Sequence, residues 1–280
     1  MEIKGWRYYN HAAIPSTPPH EEPDLSPVKN NSIWKMRGRT PLLARWTSDF
    51  DCGYETNWWY VIKDTPFDIH ALKAKRRYEI NKANRNFIIK EINPIEWSEN
   101  IYRIAVAAYE TYPNSYRPDI KHDSFISEIT KWNFYKIYGA FSLEDESLCG
   151  YACLSKKDLF GNYIDFTMMK AIPEKEKLGI NAAMVNKILL DHQDFLGSGG
   201  YICDGARSVR HETAFQDYLE KYFAFRKAYC KLHIVYKPAV RILINIVFPF
   251  RRLLNGLNYI NVVSKVNALI KMEEINRTKV

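Results

Sequence analysis

The sequence predicts a mixed α/β (α+β) fold. A mostly antiparallel central sheet is flanked by helices, with an irregular N-terminal extension before it and a helical C-terminal tail after it. Three observations predict this. Residues 86–236 alternate between strand-like and helix-like apolar spacing in the order β-α-α-β-β-β-α-β-α-β. Residues 1–85 include "IPSTPPHEEPDLSPVKNN", whose prolines and acids suit neither a helix nor a central strand. Residues 237–280 are basic and hold two helix-like apolar runs. The expected boundaries are therefore 1–85, containing a basic helix at 69–86, then 86–236, then 237–280.

Each element has its own signal. "NWWYVIKD" alternates weakly and reads as a strand. In "DIHALKAKRRYEINKANRNF", Ile69, Leu72, Ile80, Ala83 and Phe87 fall on one helical face. Arg76 sits in the middle of that face, so it is either paired, or lining a cavity, or packing its stem while its head reaches water. "NFIIKEI" reads as a strand. "NPIEWSENIYRIAVAAY" reads as a helix with Asn93 as N-cap, Pro94 in the first turn and Glu96 completing a capping box. "HDSFISEITKWN" is a second helix. Residues 134–172 read as three antiparallel strands with turns at "EDES" and "DLFGN". "LGINAAMVNKILLDHQDFL" is a helix closed by "GSGG". "YICDGA", "HETAFQDYLEKYF" and "RKAYCKLHIVY" complete the series as strand, helix and strand.

Composition bounds the function. The chain has 280 residues and a net charge of +8, with 46% hydrophobic and 26% charged residues, as in globular proteins. The charge is not uniform. Residues 226–280 carry eleven Lys/Arg against two Asp/Glu, so that segment is +9 and the remainder −1. A general nucleic-acid binder would spread its basicity over a face of the domain. The five cysteines lack zinc or redox spacing and read as buried thiols of a reducing compartment. The N-terminus has no signal-peptide core, and "ILINIVFPF" is far short of the ~20 residues that span a bilayer. The expectation is a cytoplasmic protein, peripheral to a membrane if the tail contacts one.

The element order, with Gly179 between the fourth strand of 86–236 and a helix, resembles the GNAT acyltransferase fold. In that family the fourth strand leads into a Q/R-x-x-G-x-G/A loop whose backbone amides bind the pyrophosphate of coenzyme A. The physics is general, since unpaired amides and the positive helix end attract phosphate. Gly179 matches the central glycine. Glu176 stands where Gln or Arg belongs, and Asn181 where Gly or Ala belongs. The resemblance implies Lys177, Leu178, Gly179, Ile180, Asn181 and Ala182 as the cofactor-binding loop, acetyl-CoA or another acyl-CoA as donor, and no metal. Upstream, "KRRYEINKA" is similar to the R-x-x-I-x-K-A segment of Fem-type peptidoglycan aminoacyltransferases through Arg77, Ile80, Lys82 and Ala83. Those proteins use the same fold, usually duplicated, with aminoacyl-tRNA as donor. This sequence has room for one complete copy.

The resemblance implies an N-acyltransferase, an N-acetyltransferase in its coenzyme A form. It would move an acyl group to a small-molecule amine or amino-sugar acceptor, with surface-glycan synthesis as one setting. An aminoacyl-tRNA-dependent Fem-like transferase is the alternative donor reading. A non-catalytic GNAT-like binding module is the other alternative. The fourth strand often supplies a base, and Asp165 lies there, with a surface role as its plain alternative. A tyrosine of the last helix often protonates the leaving group, and counting back gives Tyr218 or, in the other register, Glu220. The loop "DGARSVRHET" gathers Asp204, Arg207, Ser208 and His211. His211 is the residue type for a base near neutral pH, and Arg207 can grip a phosphate or carboxylate. Ser208 and Glu212 could equally cap the helix. Arg76, Arg77, Arg207 and Ser208 form the substrate-binding expectation. The tail, 237–280, could rest on an anionic membrane, pack on the domain or join a homodimer. No nucleophile elbow such as G-x-S-x-G occurs, which disfavours a hydrolase.

Overall fold

The computed structural model describes residues 3–36, 38, 40–114, 117–156, 161–208, 214–252 and 261–278, apart from the side chains of 261–265. In chain order the strands are β1 (Trp6–Tyr9), β2 (Ala12–Pro15), β3 (Leu43–Ser48), β4 (Trp58–Lys63), β5 (Phe87–Glu91), β6 (Tyr135–Ser142), β7 (Leu148–Ser155), β8 (Tyr163–Ala171), β9 (Tyr201–Ala206) and β10 (Arg226–Tyr236). The helices are α1 (Ser26–Lys29), α2 (Ala74–Ala83), α3 (Ser98–Glu110), α4 (His122–Ile129), α5 (Pro173–Glu176), α6 (Ile180–Asp191), α7 (Gln193–Gly197), α8 (Ala214–Phe223), α9 (Pro238–Val247) and α10 (Asn261–Arg277). The fold is mixed α/β with mostly antiparallel strands.

The chain divides into two units. One comprises Met1–Val61, Ala206–Ala214 and Lys227–Val280; the other comprises Ile62–Gly205 and Phe215–Arg226.

In the first unit β1 and β2 form a hairpin, β2 runs parallel to β3, and β3 pairs antiparallel with β10. Ile3, Trp6, Ala13, Val28, Ile33 and Ala44 form one buried cluster. The proline-rich stretch begins in β2 with Ile14 and Pro15 and then contributes the single-turn α1, whose Val28 reaches this cluster. The sequence predicts irregular chain through residue 57, yet β1, β2 and β3 lie there. They are four to six residues long, too short for period-2 spacing to stand out, and they form by pairing across the unit. A second cluster joins Ala12, Leu43 and Tyr236 to Ile244 of α9, with Leu269 and Met272 of α10 against it.

In the second unit the strand order is β9-β8-β7-β6-β5. β5 to β8 pair antiparallel, and β9 joins β8 in parallel. All eight residues of β7 are buried, which fits its uncharged sequence LCGYACLS. Tyr151 of β7 belongs to a cluster with Ile101 and Ile104 of α3 and Ile129 of α4. The neighbouring Gly150 lies beneath Ile180 and Met184 of α6. β7 is thus covered on both faces, as strand alternation requires. Each fully buried Ile, Leu or Phe of this core contributes roughly 1.5–3 kcal/mol.

Two helix boundaries differ from expectation. Asn93 and Glu96 do pair, through Asn93 Nδ2 to Glu96 Oε1 at 2.9 Å. They close a turn rather than a helix, because Asn93 Oδ1 accepts from the Ile95 amide at 3.1 Å, and α3 begins only at Ser98. The long helix expected at 178–196 is broken at His192. Its backbone leaves helical geometry (φ −112°, ψ 19°), and its buried ring nitrogen Nδ1 bonds the Ile188 carbonyl at 2.7 Å. The five cysteines are free thiols, buried except for half-buried Cys52.

Candidate functional site

β8 and β9 define the site by parting. Their pairing covers three positions, Tyr163↔Tyr201, Ile164↔Ile202 and Asp165↔Cys203. From there β8 runs on to Ala171 against β7 alone, while β9 runs on to Ala206. Because the two strands are parallel, both C-terminal ends open toward the same edge of the sheet. Between Cys153 and Leu154 the β7–β8 register slips: Cys153 faces Met168 and Leu154 faces Phe166. Thr167 is therefore an extra residue, a bulge at the point of divergence. Bulges are over-represented beside active sites because they re-aim neighbouring side chains.

Two carboxylates sit at this fork. Asp165, half-buried, is anchored by its amide donating to Ser155 Oγ at 2.8 Å, and its Oδ2 accepts from Thr167 Oγ1 at 3.2 Å. Asp204 follows Cys203, the last β9 residue paired with β8. Burial pushes the Asp204 carboxyl up to about 7, and the charge of Asp165 adds to the rise, while a hydrogen bond from Gln216 works against it. Buried Gln216 of α8 also points its amide at the carbonyls of Asp204 and Gly205, at 3.4 and 3.5 Å. Phe215 of α8 packs edge-on against Phe166 of β8, ring centres 5.8 Å apart. The fork thus carries one carboxyl that changes charge near neutral pH beside a second carboxylate. That is the arrangement a general base needs.

α8 adds an aromatic ledge. Tyr218 stacks on Phe215 at 6.1 Å and meets Tyr222 edge-on at 5.3 Å. Burial raises the Tyr218 phenol above its usual range, with the Arg76 charge opposing. It therefore stays protonated at neutral pH. Arg76 is 17% exposed and resolves the question its position raises. Its Nη1 pairs with Glu79 Oε2 at 2.6 Å, and its guanidinium lies 3.3 Å from the centre of the Tyr222 ring. Arg77 turns the other way, donating to the carbonyls of His70 and Leu72 at 3.1 and 2.5 Å and holding the turn before α2.

Within the expected anion cradle, Gly179 has a packing role. Gly179 has φ +89°, and a Cβ there would meet the Cβ of Ala83 on α2 at 2.8 Å. The glycine is thus needed for its backbone angle and for the close approach of two helices. Asn86 Nδ2 donates to the Leu178 carbonyl at 3.2 Å beside it. No side chain caps α6. The preceding residues form α5, and Glu176 and Lys177 are exposed while Ile180 and Ala182 are buried. Asn181 is half-buried.

Arg207 belongs to the first unit. Its Nη1 donates to the Asn57 carbonyl at 2.8 Å, its amide to the Trp59 carbonyl at 3.0 Å, and its guanidinium stacks 4.2 Å from the Trp59 ring centre. Ser208 follows it in the first unit, half-buried. His211 and Glu212 lie outside the described residues. Among the described residues no group of three or more His, Cys, Asp or Glu side chains could hold a metal ion. Asp204 is the residue whose role the sequence understates: its place in the "DGARSVRHET" loop is readable, but its burial beside Asp165 is not.

This order of elements and the forked sheet are those of a GNAT-like fold of Fem type. Two solved structures share it over most of the chain. L-PGS from Bacillus licheniformis, a lysylphosphatidylglycerol synthetase, is 11% identical over 86% of this chain and 83% of its own, with a TM-score of 0.51. FemX is 8% identical over 80% of this chain and 78% of its own, with a TM-score of 0.50. No protein-family model and no curated protein sequence matches the chain.

Proposed function

We propose that the chain is an N-acyltransferase working at the fork between β8 and β9, with an aminoacyl-tRNA as acyl donor. The observation that carries the transferase reading is Asp204, whose carboxyl titrates at about 7 next to Asp165 where the two strands part. In the reaction the acceptor nitrogen attacks the acyl carbonyl and a C–N bond forms. The C–O bond to the tRNA ribose breaks. The Asp204 carboxylate takes the proton from the amine, and Tyr218, held protonated, is suited to supply one to the leaving oxygen. Asp165 keeps the base poised through its charge. His211 remains a candidate base by residue type alone.

The donor is argued from α2 and α6. The glycine that would shape a pyrophosphate loop is committed to packing against Ala83, and exposed Glu176 would repel a pyrophosphate. α2 and its flanks carry exposed Lys73, Lys75, Lys82 and Arg85, a basic surface suited to a nucleic-acid backbone. Acyl-CoA remains a second reading, favoured by the uncapped N-terminus of α6 after the fourth strand of the domain. The acceptor is an amine, and an amino sugar is one candidate.

The test is transfer of radiolabelled acyl groups to a mixture of amines. One arm uses charged tRNA, the other acetyl-CoA, and Asp204→Asn is run beside the wild type in each. Transfer from charged tRNA that the variant loses supports the full reading. Transfer from acetyl-CoA alone moves it to the second donor. No transfer in either arm leaves only a binding module.

A further inference from the structure

We infer that α9 and the turn after it form a docking face for an anionic lipid bilayer. α9 is apolar on two sides. One side is accounted for: Ile244 is buried against Ala12, Leu43 and Tyr236, with Val240 beside it. The other is not. Ile242, Leu243, Ile246 and Phe250 are 63%, 51%, 61% and 57% exposed. Ile242, Leu243 and Ile246 share one side of α9, and Phe250 ends the 3-10 turn, Phe248–Phe250, that follows the helix. Single exposed apolar residues are ordinary, but a strip of four large ones along one helix and the turn that follows it marks an interaction surface.

Charge selects the occupant. Arg241 lies on the flank of the strip, and Arg252 follows its end, both exposed. No Asp or Glu occurs between residues 226 and 272, and residues 226–280 carry +9. Arg251 is bound to Glu274 at 2.9 Å, and Arg277 to Glu273 at 2.7 Å. Both guanidinium groups stack on Phe248, at 4.6 and 4.1 Å. Glu274 of α10 thus holds Arg251, beyond the end of α9, and Glu273 holds Arg277 within α10, so both acids of this segment are already paired and the exposed surface keeps its cationic character. A protein partner would match either the apolar strip or the arginines in its own pattern. A bilayer with anionic headgroups matches both at once, with side chains entering the acyl boundary and arginines at the phosphates. Among the described residues no helix is long and apolar enough to cross a membrane.

The full chain is tested by co-sedimentation with vesicles of phosphatidylcholine alone and of phosphatidylcholine mixed with phosphatidylglycerol. Wild type should pellet with the mixed vesicles and weaken as salt rises. The triple variant Ile242→Ser/Ile246→Ser/Phe250→Ser should lose at least tenfold in affinity with its circular dichroism and melting temperature retained. Replacing Arg241 and Arg252 with Gln should cost roughly fivefold each at low salt and little at high salt. Equal pelleting of wild type and the triple variant would overturn the inference, as would no preference for phosphatidylglycerol. So would a dimer in solution that the triple variant converts to monomer, because the strip would then be covered by a second copy.

Discussion

At the scale of single residues, Asp204 makes the sharpest statement. Its carboxyl holds a proton up to about 7 in the folded chain but would ionise near ~3.9 when unfolded. The folded state therefore binds the extra proton between those values, and stability from this group falls as pH rises from ~4 to about 7. Asp204→Asn removes the buried charge. The variant should melt above wild type at pH 8, with the gap closing toward pH 4, as followed by calorimetry. If Asp204 is the base, the same variant should lose roughly 10²–10⁴-fold in transfer rate. The wild-type rate should rise through about pH 7 to a plateau. A residue important only for folding would show no such split between rate and stability. Arg76 offers a second residue-scale outcome. Arg76→Ala forfeits a stacked cation and a partly buried ion pair, a loss of roughly 1–2 kcal/mol in urea unfolding. Arg76→Lys should recover part of it, because lysine keeps the charge and loses the planar stack.

At the scale of elements, the meeting of α2 and α6 is set by one missing methyl group. Gly179→Ala combines an unfavourable left-handed backbone with a 2.8 Å approach to Ala83, a loss of roughly 2–4 kcal/mol. Adding Ala83→Gly should relieve the contact and leave the backbone cost. The pair should therefore cost less than the two single changes summed, as a double-mutant cycle in urea would show. The sequence shows that Gly179 matters and where it sits, but the partner at Ala83, almost a hundred residues earlier, is a tertiary fact. The same division holds for the strands. β9 and β10 are readable to their ends from their surroundings: YICDGA follows the GSGG turn, and RKAYCKLHIVY ends at the Lys-Pro that opens α9. The four-residue β1 and β2 are not, because so short a strand is made by its neighbours. The Asn93–Glu96 pair was legible as chemistry yet ambiguous as structure, since one side chain can close a turn as well as cap a helix. Likewise Asp165 and Tyr218 were readable as titratable groups on the right elements, whereas Asp204's environment depends on where β8 and β9 part.

At the scale of the whole molecule, burial is concentrated. β7 has every residue buried and lies between β6 and β8, so opening its hydrogen bonds requires breaking the core of its unit. Hydrogen exchange by mass spectrometry should find Leu148–Ser155 among the last amides to exchange, and the four-residue β1 far earlier. The charge pattern is equally uneven. The chain is +8 overall, with +9 in its last 55 residues and −1 in the rest. Encounter with an anionic surface should accordingly be steered and salt-dependent.

The bulge at Thr167 carries a consequence for how this chain tolerates change. A single added residue shifts the alternation of β8, so the residues before it and those after it keep their present sides only while it remains. Deleting Thr167 would preserve every other letter of the strand and yet invert its first half. Phe166 and Ile164 would turn away from the interior, and Asp165 would turn toward it. Variation by substitution is open to this strand; variation in its length is closed. Among descendants of this sequence, the spacing from Asp165 to Ala171 should drift far less than the residues that fill it.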